Sequence, residues 1–228
     1  MRLGVLFSGG KDSTLALHYA AEKEEVVCLI TVVSKNKESY MFHTPNINVT
    51  ALQAEALDLP LVSVISEGIK EVELADLEKA IAMAISKFEI DGVVTGAVES
   101  IYQSQRVQRV SSRLDVRCFN PLWKYDQKAL LEKLVEKHFK VIISGVFAYP
   151  LDEKWLGKEL DTEMIGRLFE LQKKIGLSPI GEGGEIETTV LDAPLFKQKI
   201  EILDYKLEAK GNSGVFMIKQ ARLVPKRF

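Results

Sequence analysis

Apolar and polar positions alternate in blocks from the first residue to about residue 146. Residues 3–7 form a short apolar run, and residues 13–23 read as a helix. Residues 26–33 are apolar throughout except for Cys28 and Thr31, which predicts a strand buried on both faces. After His43, Thr44 can act as N-cap with Pro45 at the first helical position, starting a helix that runs to about Asp58. Residues 59–65 predict a third strand. Within 72–88, Leu74, Leu77, Ile81, Ala84, Ile85 and Phe88 recur at helical spacing. A fourth strand at 91–95 ends at Gly96, followed by a helix at 99–114 and a fifth strand at 116–119. Residues 127–138 predict another helix, and 141–146 a further apolar run. Strands alternating with helices in this way predict an α/β fold with an open parallel sheet and helices on both faces.

The pattern then changes. Asp161 can cap a helix at 162–175 that stops at Gly176. Gly181-Glu182-Gly183-Gly184-Glu185-Ile186-Glu187-Thr188-Thr189 follows. Three glycines and three glutamates among its first seven residues predict a loop rather than a helix or strand interior. Strand-like runs at 199–209 and 215–224 flank Gly211-Asn212-Ser213-Gly214, which has hairpin-turn chemistry. This predicts a first domain at 1–146 and a smaller α+β domain at 147–228, divided near Tyr149-Pro150.

Composition narrows the class. The chain is 46% hydrophobic and 27% charged, with a formal net charge of −2, as in soluble globular proteins. No extended basic run is present, which argues against a broad nucleic-acid footprint and leaves room for a local basic patch; the nearest cluster, Arg106, Arg109, Arg113 and Arg117, is spread over about three helical turns. No apolar stretch is long enough to cross a membrane, and the first apolar run is too interrupted for a signal peptide. Cys28 and Cys118 sit in apolar runs and show neither zinc nor redox spacing, so a cytoplasmic protein with buried free thiols is expected.

Three segments carry chemistry. Ser8-Gly9-Gly10-Lys11-Asp12-Ser13 lies between a strand and a helix. Its glycines allow close backbone approach to an anion, and the helix N-terminus favours phosphate there. Lys11 adds a mobile charge, and Ser8 and Ser13 add hydroxyl donors. The spacing is not that of a Walker A loop. In the helix after the fourth strand, Tyr102, Arg106 and Arg109 share a face next to Gln103, which reads either as a holder of phosphate or a substrate anion or as a solvated polar face. In the glycine-rich segment, Glu182, Glu185 and Glu187 have no nearby arginines. They read either as a site for a cation or an ammonium-bearing substrate, or as an acidic exposed loop.

The strand–SGGKDS–helix unit resembles the PP-loop of the N-type ATP pyrophosphatases, which cleave ATP to AMP and pyrophosphate. Gly96-Ala97 with Tyr102-Gln103 and Arg106-Val107, Pro121-Leu122-Trp123, Leu156-Gly157 with Leu160-Asp161, and GEGGEIET with Leu191-Asp192-Ala193-Pro194-Leu195-Phe196 then follow in order. Together they resemble the diphthine–ammonia ligase family over nearly the whole chain. Ile180 stands where that family often has Cys, and Ile186 where it usually has an aromatic residue.

The resemblance implies a five-stranded sheet of the adenine nucleotide alpha hydrolase-like (HUP) type, order 3-2-1-4-5. The loops after strands one and four would then share a crevice, with Gly96 letting the adenosine part of ATP approach backbone. It implies ATP-dependent amidation of diphthine on translation elongation factor 2 through an acyl-adenylate. The cofactors are ATP and Mg2+, and free ammonium is the nitrogen source. No glutaminase is expected: Arg2 excludes an N-terminal nucleophilic cysteine, and His18, His43 and His138 show no catalytic spacing with the two cysteines. Nucleotide binding falls to residues 8–13 with Thr31 and Gly96, catalysis to Lys11, Asp12 and Ser13, and metal binding to Asp12. Substrate binding falls to Tyr102, Gln103, Arg106, Glu182, Gly183, Gly184, Glu185, Glu187 and Thr188. No stable nucleic-acid or membrane partner is expected, and a homo-oligomer is compatible with the sequence. The rival readings are a tRNA-modifying thiolase-type pyrophosphatase, which usually carries sulfur on cysteines absent here, and a non-catalytic adenine-nucleotide-binding module.

Overall fold

A computed structural model describes residues 1–36, 45–69 and 72–226. The first unit runs β1 (Arg2–Leu6), α1 (Lys11–Ala21), β2 (Glu25–Ser34), α2 (Thr50–Leu57), β3 (Leu61–Ser66), α3 (Glu73–Phe88), β4 (Gly92–Val94), α4 (Ile101–Arg113) and β5 (Arg117–Phe119). Its strands form a five-stranded parallel sheet in the order β3-β2-β1-β4-β5. Successive strand residues point to opposite faces. Ile30 and Val93 therefore meet Leu77, Ala80 and Ile81 of α3 and Val107 and Val110 of α4. Leu29 and Val94 face the other side, toward α1 and α2. Leu77 is fully buried, and truncating it to Ala would cost about 2–5 kcal/mol. Strand order reverses between β1 and β4, which is where open parallel sheets bind ligands.

The second unit comprises α5 (Gln127–Glu136), β6 (Lys140–Val146), α6 (Thr162–Ile175), β7 (Ile186–Asp192), β8 (Gln198–Lys210) and β9 (Ser213–Pro225). Asp126 and Asp161 cap α5 and α6 by accepting from Ala129 N at 2.8 Å and Met164 N at 2.8 Å. Its strands form an antiparallel four-stranded sheet, β7-β6-β9-β8. One apolar core joins the units: Leu15 and Leu17 of α1 share it with Ile143, Val190 and Phe196.

Three features differ from the expectations. The run at 141–146 extends no parallel sheet. It becomes β6, an interior strand of the antiparallel sheet, because β7 and β9 flank it on either side. A division at 146/147 would cut β6 from its own sheet, so we propose that the units divide ahead of α5. The glycine-rich segment is a loop only to Glu185. From Ile186 it pairs with β6 as β7, because Ile186, Thr188 and Val190 alternate into a buried face. The helix expected from Pro45 starts later, as a 3-10 turn at Ile47–Val49 leading into α2, while His43 and its proposed cap Thr44 lie outside the described residues.

Candidate active site

The loop after β1 is built from inside. Gly9 has φ +78°, and a Cβ there would lie 2.1 Å from Gln53 Oε1, so only glycine fits. Gly10 is the N-cap of α1 without a side-chain cap, so the positive end of the helix opens toward the site. Ser13 Oγ donates to Gly10 O at 3.1 Å and accepts from Ser8 N at 3.3 Å. Thr14 Oγ1 donates to the same Gly10 carbonyl at 2.8 Å. The loop, the start of α4 and the glycine-rich segment enclose a cavity of about 970 Å³.

Lys11 is not the mobile charge expected. It is 2% exposed, and its ammonium donates to Ile180 O at 2.6 Å and Asp12 Oδ2 at 2.8 Å. Its backbone N–H donates to Thr188 Oγ1 at 3.1 Å. The PP-loop-like turn is thus fastened to the glycine-rich segment across 177 residues of sequence.

Two residues that sequence reasoning missed complete this fastening. Gln53, buried in α2, donates its amide to Gly9 O at 2.9 Å and Val190 O at 2.8 Å. Val190 N also donates to Gly9 O at 3.0 Å. His18 of α1 holds Thr14 O through Nδ1 at 2.8 Å and accepts from Leu195 N at Nε2, 3.2 Å away. Those partners define the neutral tautomer, and burial pushes its pKa down from 6.5 to about 4. The signal in the sequence was a single amide among the apolar Leu52, Ala54, Ala56 and Leu57.

The structure places the proposed site residues unequally. Ser8, Gly10, Lys11, Asp12, Ser13 and Gly96 line the cavity, as does Gln103. Gly9 lies behind, against Gln53. Gly96 also has a packing reason to be glycine, since a Cβ there would come within 2.7 Å of Ser13 N. Thr31 does not reach the cavity. It is buried in β2 and donates to Phe7 O at 2.6 Å, steadying the entry to the loop. Tyr102 and Arg106 stack on one another, with the guanidinium 3.4 Å from the ring centroid, outside the cavity lining.

The three glutamates have separate fates. Glu182 and Glu187 line the cavity with Gly183, Gly184 and Thr188. Glu185 does not: its carboxylate accepts from Gly183 N at 2.8 Å and Ser178 N at 3.3 Å, folding the loop on itself. Glu182 Oε1 accepts from Glu99 N at 3.1 Å, closing the loop against the segment after β4, and burial raises its pKa. Burial also pushes the Glu187 carboxyl up to about 7, with nearby Lys11 pulling it down and Asp12 pushing it up. Asp12 Oδ1 is buried and has no hydrogen-bond partner among the described residues, whereas Oδ2 faces Lys11. Asp12 therefore has one carboxylate oxygen to offer a cation. Among the described residues no group of three or more His, Cys, Asp or Glu could hold a metal.

The chain matches the family models of the diphthamide synthase N-terminal domain over residues 1–118 and C-terminal domain over residues 126–224. The diphthine–ammonia ligase of Mus musculus is 38% identical over 222 residues, covering 89% of this chain and 83% of that one. The diphthine–ammonia ligase of Homo sapiens is 37% identical over 220 residues, covering 88% and 82%. Among solved structures, a predicted subunit of tRNA methyltransferase from Methanocaldococcus jannaschii DSM aligns with a TM-score of 0.46 at 18% identity, over 85% of this chain and 98% of that one. That likeness is too distant to carry an argument.

Proposed function

This chain belongs to the diphthamide synthase family, and we propose on that premise that it amidates diphthine on translation elongation factor 2, using ATP and ammonium. The observation that carries this reading is the fastening of the PP-loop-like turn to the glycine-rich segment, through Lys11 N to Thr188 Oγ1 at 3.1 Å and Lys11 Nζ to Ile180 O at 2.6 Å. An ATP site and an acceptor site must adjoin if one product of the first is to be handed to the second.

A carboxylate is a poor electrophile, so its oxygen first attacks the α-phosphorus of ATP. The bond to the bridging oxygen breaks, giving an acyl-adenylate and pyrophosphate. The N-terminus of α1 and the Lys11 ammonium stabilise the charge that develops on the leaving phosphates. This requires ATP to draw Lys11 from Ile180 O and Asp12. Asp12 is the residue that would hold Mg2+ through its free oxygen, and the ion when bound neutralises phosphate charge. Ammonia then attacks the acyl carbon, AMP leaves, and the surplus protons pass to solvent. Glu182 and Glu187 face the cavity and suit a cationic guest, either ammonium or the trimethylammonium of diphthine. Glu185 shapes the loop that presents them.

Neither cysteine lines the cavity, which weighs against sulfur carriage. Among the described residues no helix is long and apolar enough to cross a membrane. Two unpaired thiols suit work in the cytoplasm. The test supplies the purified chain with ATP, ammonium and diphthine-bearing elongation factor 2. Release of AMP and pyrophosphate that requires both ammonium and acceptor, with conversion of acid to amide seen by mass spectrometry, is expected. Pyrophosphate release stimulated by tRNA instead would overturn the reading.

A further inference from the structure

The hairpin of β8 and β9 leaves its own sheet. β9 pairs with β6 only at Gly145 and Val146. Further along β6 the chain after a 3-10 turn at Glu153–Trp155 takes over, with Gly157 N donating to Ile143 O at 2.8 Å and Leu160 N to Val141 O at 2.8 Å. The hairpin and this segment line a second depression, bordered by apolar side chains together with Lys158 and polar backbone. Leu156, Gly157 and Lys158 form one wall, and Leu203, Tyr205, Leu207 and Phe216 the other.

The groove is ordered but uncovered. Tyr205 stacks on Phe216 with centroids 4.5 Å apart, and Asn46 anchors β9 by donating to Phe216 O at 2.9 Å and accepting from Ile218 N at 2.8 Å. Leu203, Tyr205 and Leu207 nevertheless remain 46%, 53% and 36% exposed along β8, whose pairing with β9 is irregular between Ile202 and Tyr205. β8 ends the sheet, so its outer edge has no partner strand among the described residues. Exposed apolar side chains near one another on an open edge strand suit a contact surface.

Its position identifies the partner. Leu207 and Phe216 line the groove, and their chain neighbours Glu208 and Val215 line the large cavity. The two depressions thus meet on one hairpin, whose turn end, Glu208 to Lys210 and Ser213 to Val215, forms part of the cavity wall. A small-molecule acceptor would need only the cavity. A side chain presented by a folded protein brings flanking surface with it, and that surface must rest on what adjoins the cavity.

We propose that the β8–β9 hairpin, with its groove and the exposed Leu203, Tyr205 and Leu207, docks the diphthine-bearing protein, taking a segment with apolar side chains beside the modified residue; this rests on the reading above that the acceptor is protein-borne. The cavity determines the chemistry, and the groove determines which macromolecule can deliver the side chain.

The experiment compares two substrates, diphthine-bearing elongation factor and a short diphthine peptide, across wild type, Leu203→Lys and the triple variant Leu203→Ser/Tyr205→Ser/Leu207→Ser. Leu203→Lys leaves the Tyr205–Phe216 stack in place and guards against misfolding. The expected result is a KM for the protein substrate raised about tenfold or more, equivalent to about 1.4 kcal/mol. Turnover of the peptide and the KM values for ATP and ammonium should stay unchanged. An unchanged KM for the protein, or an equal loss on the peptide, overturns the proposal. So does light scattering that shows both variants dissociating an oligomer while protein KM stays constant, since a second copy then covers the face. If the wild type turns over neither substrate, the functional reading fails. If it turns over both and the variants match it, the docking proposal alone fails.

Discussion

Two glycine-rich segments with embedded charges, residues 8–13 and 181–187, look alike in sequence and behave oppositely in the fold. In the first, the charged group is turned inward, with Lys11 buried and bound to Ile180 O and Asp12. Its glycines meet a helix N-terminus, so backbone N–H groups as well as side chains open toward the cavity. In the second, the glycines form a turn held by Glu185, and Glu182 and Glu187 provide the cavity wall. Glycine next to charge therefore does not say which of the two contacts a ligand. The element that follows decides, a helix in one case and a strand in the other.

Each side of this contrast can be broken separately. Lys11→Met should have the largest effect, lowering turnover about 100- to 1,000-fold in a pyrophosphate-release assay, because the charge opposing the leaving phosphates is lost. Near-normal turnover would assign that charge elsewhere. His18 ties α1 to Leu195 beyond the second segment, and its folded pKa lies below its unfolded value. The unfolded chain therefore binds the proton more readily between pH 6.5 and about 4. This contribution is fully present above pH 6.5 and is lost as pH falls through about 4, amounting to about 3 kcal/mol. Denaturant midpoints across that range should slope less steeply in His18→Gln than in the wild type.

Gln53→Ala removes the side-chain donor to Val190 O and one of the two donors to Gly9 O, and should cost about 2 kcal/mol in urea unfolding while raising KM for ATP. The smallest effect is expected at Glu185→Gln. It weakens the carboxylate's two backbone bonds by about 1 kcal/mol yet retains most amide formation, since this side chain is absent from the cavity lining. A collapse of activity there would show that all three glutamates act on the substrate.

The parallel sheet was legible because its cues are local. Uninterrupted apolar strands such as residues 26–33 and the spacing of Leu74, Leu77, Ile81 and Ala84 each report burial within a few residues. Asp161 and Gly176 marked both ends of α6 for the same reason. β6 and β7 were not legible in this way. An apolar run looks the same in a parallel and an antiparallel sheet, and the glycines ahead of Ile186 masked a strand whose partner is some forty residues away. Thr31, which the resemblance assigned to the nucleotide, donates to the Phe7 carbonyl and lies outside the cavity lining, a partner that no local pattern reveals.

By itself the sequence determined that a strand, a glycine turn and a helix would follow one another at residues 2–21, and which family the chain belongs to. Only the tertiary structure decided which groups face the cavity. Lys11 turns to Ile180, Gln53 bridges Gly9 to Val190, Glu185 turns back on its loop, and the β8–β9 hairpin lines both the cavity and a separate groove. The physical reason is range. Propensity and periodicity act over a few residues, whereas a buried polar group must find its partner wherever the packed chain brings one.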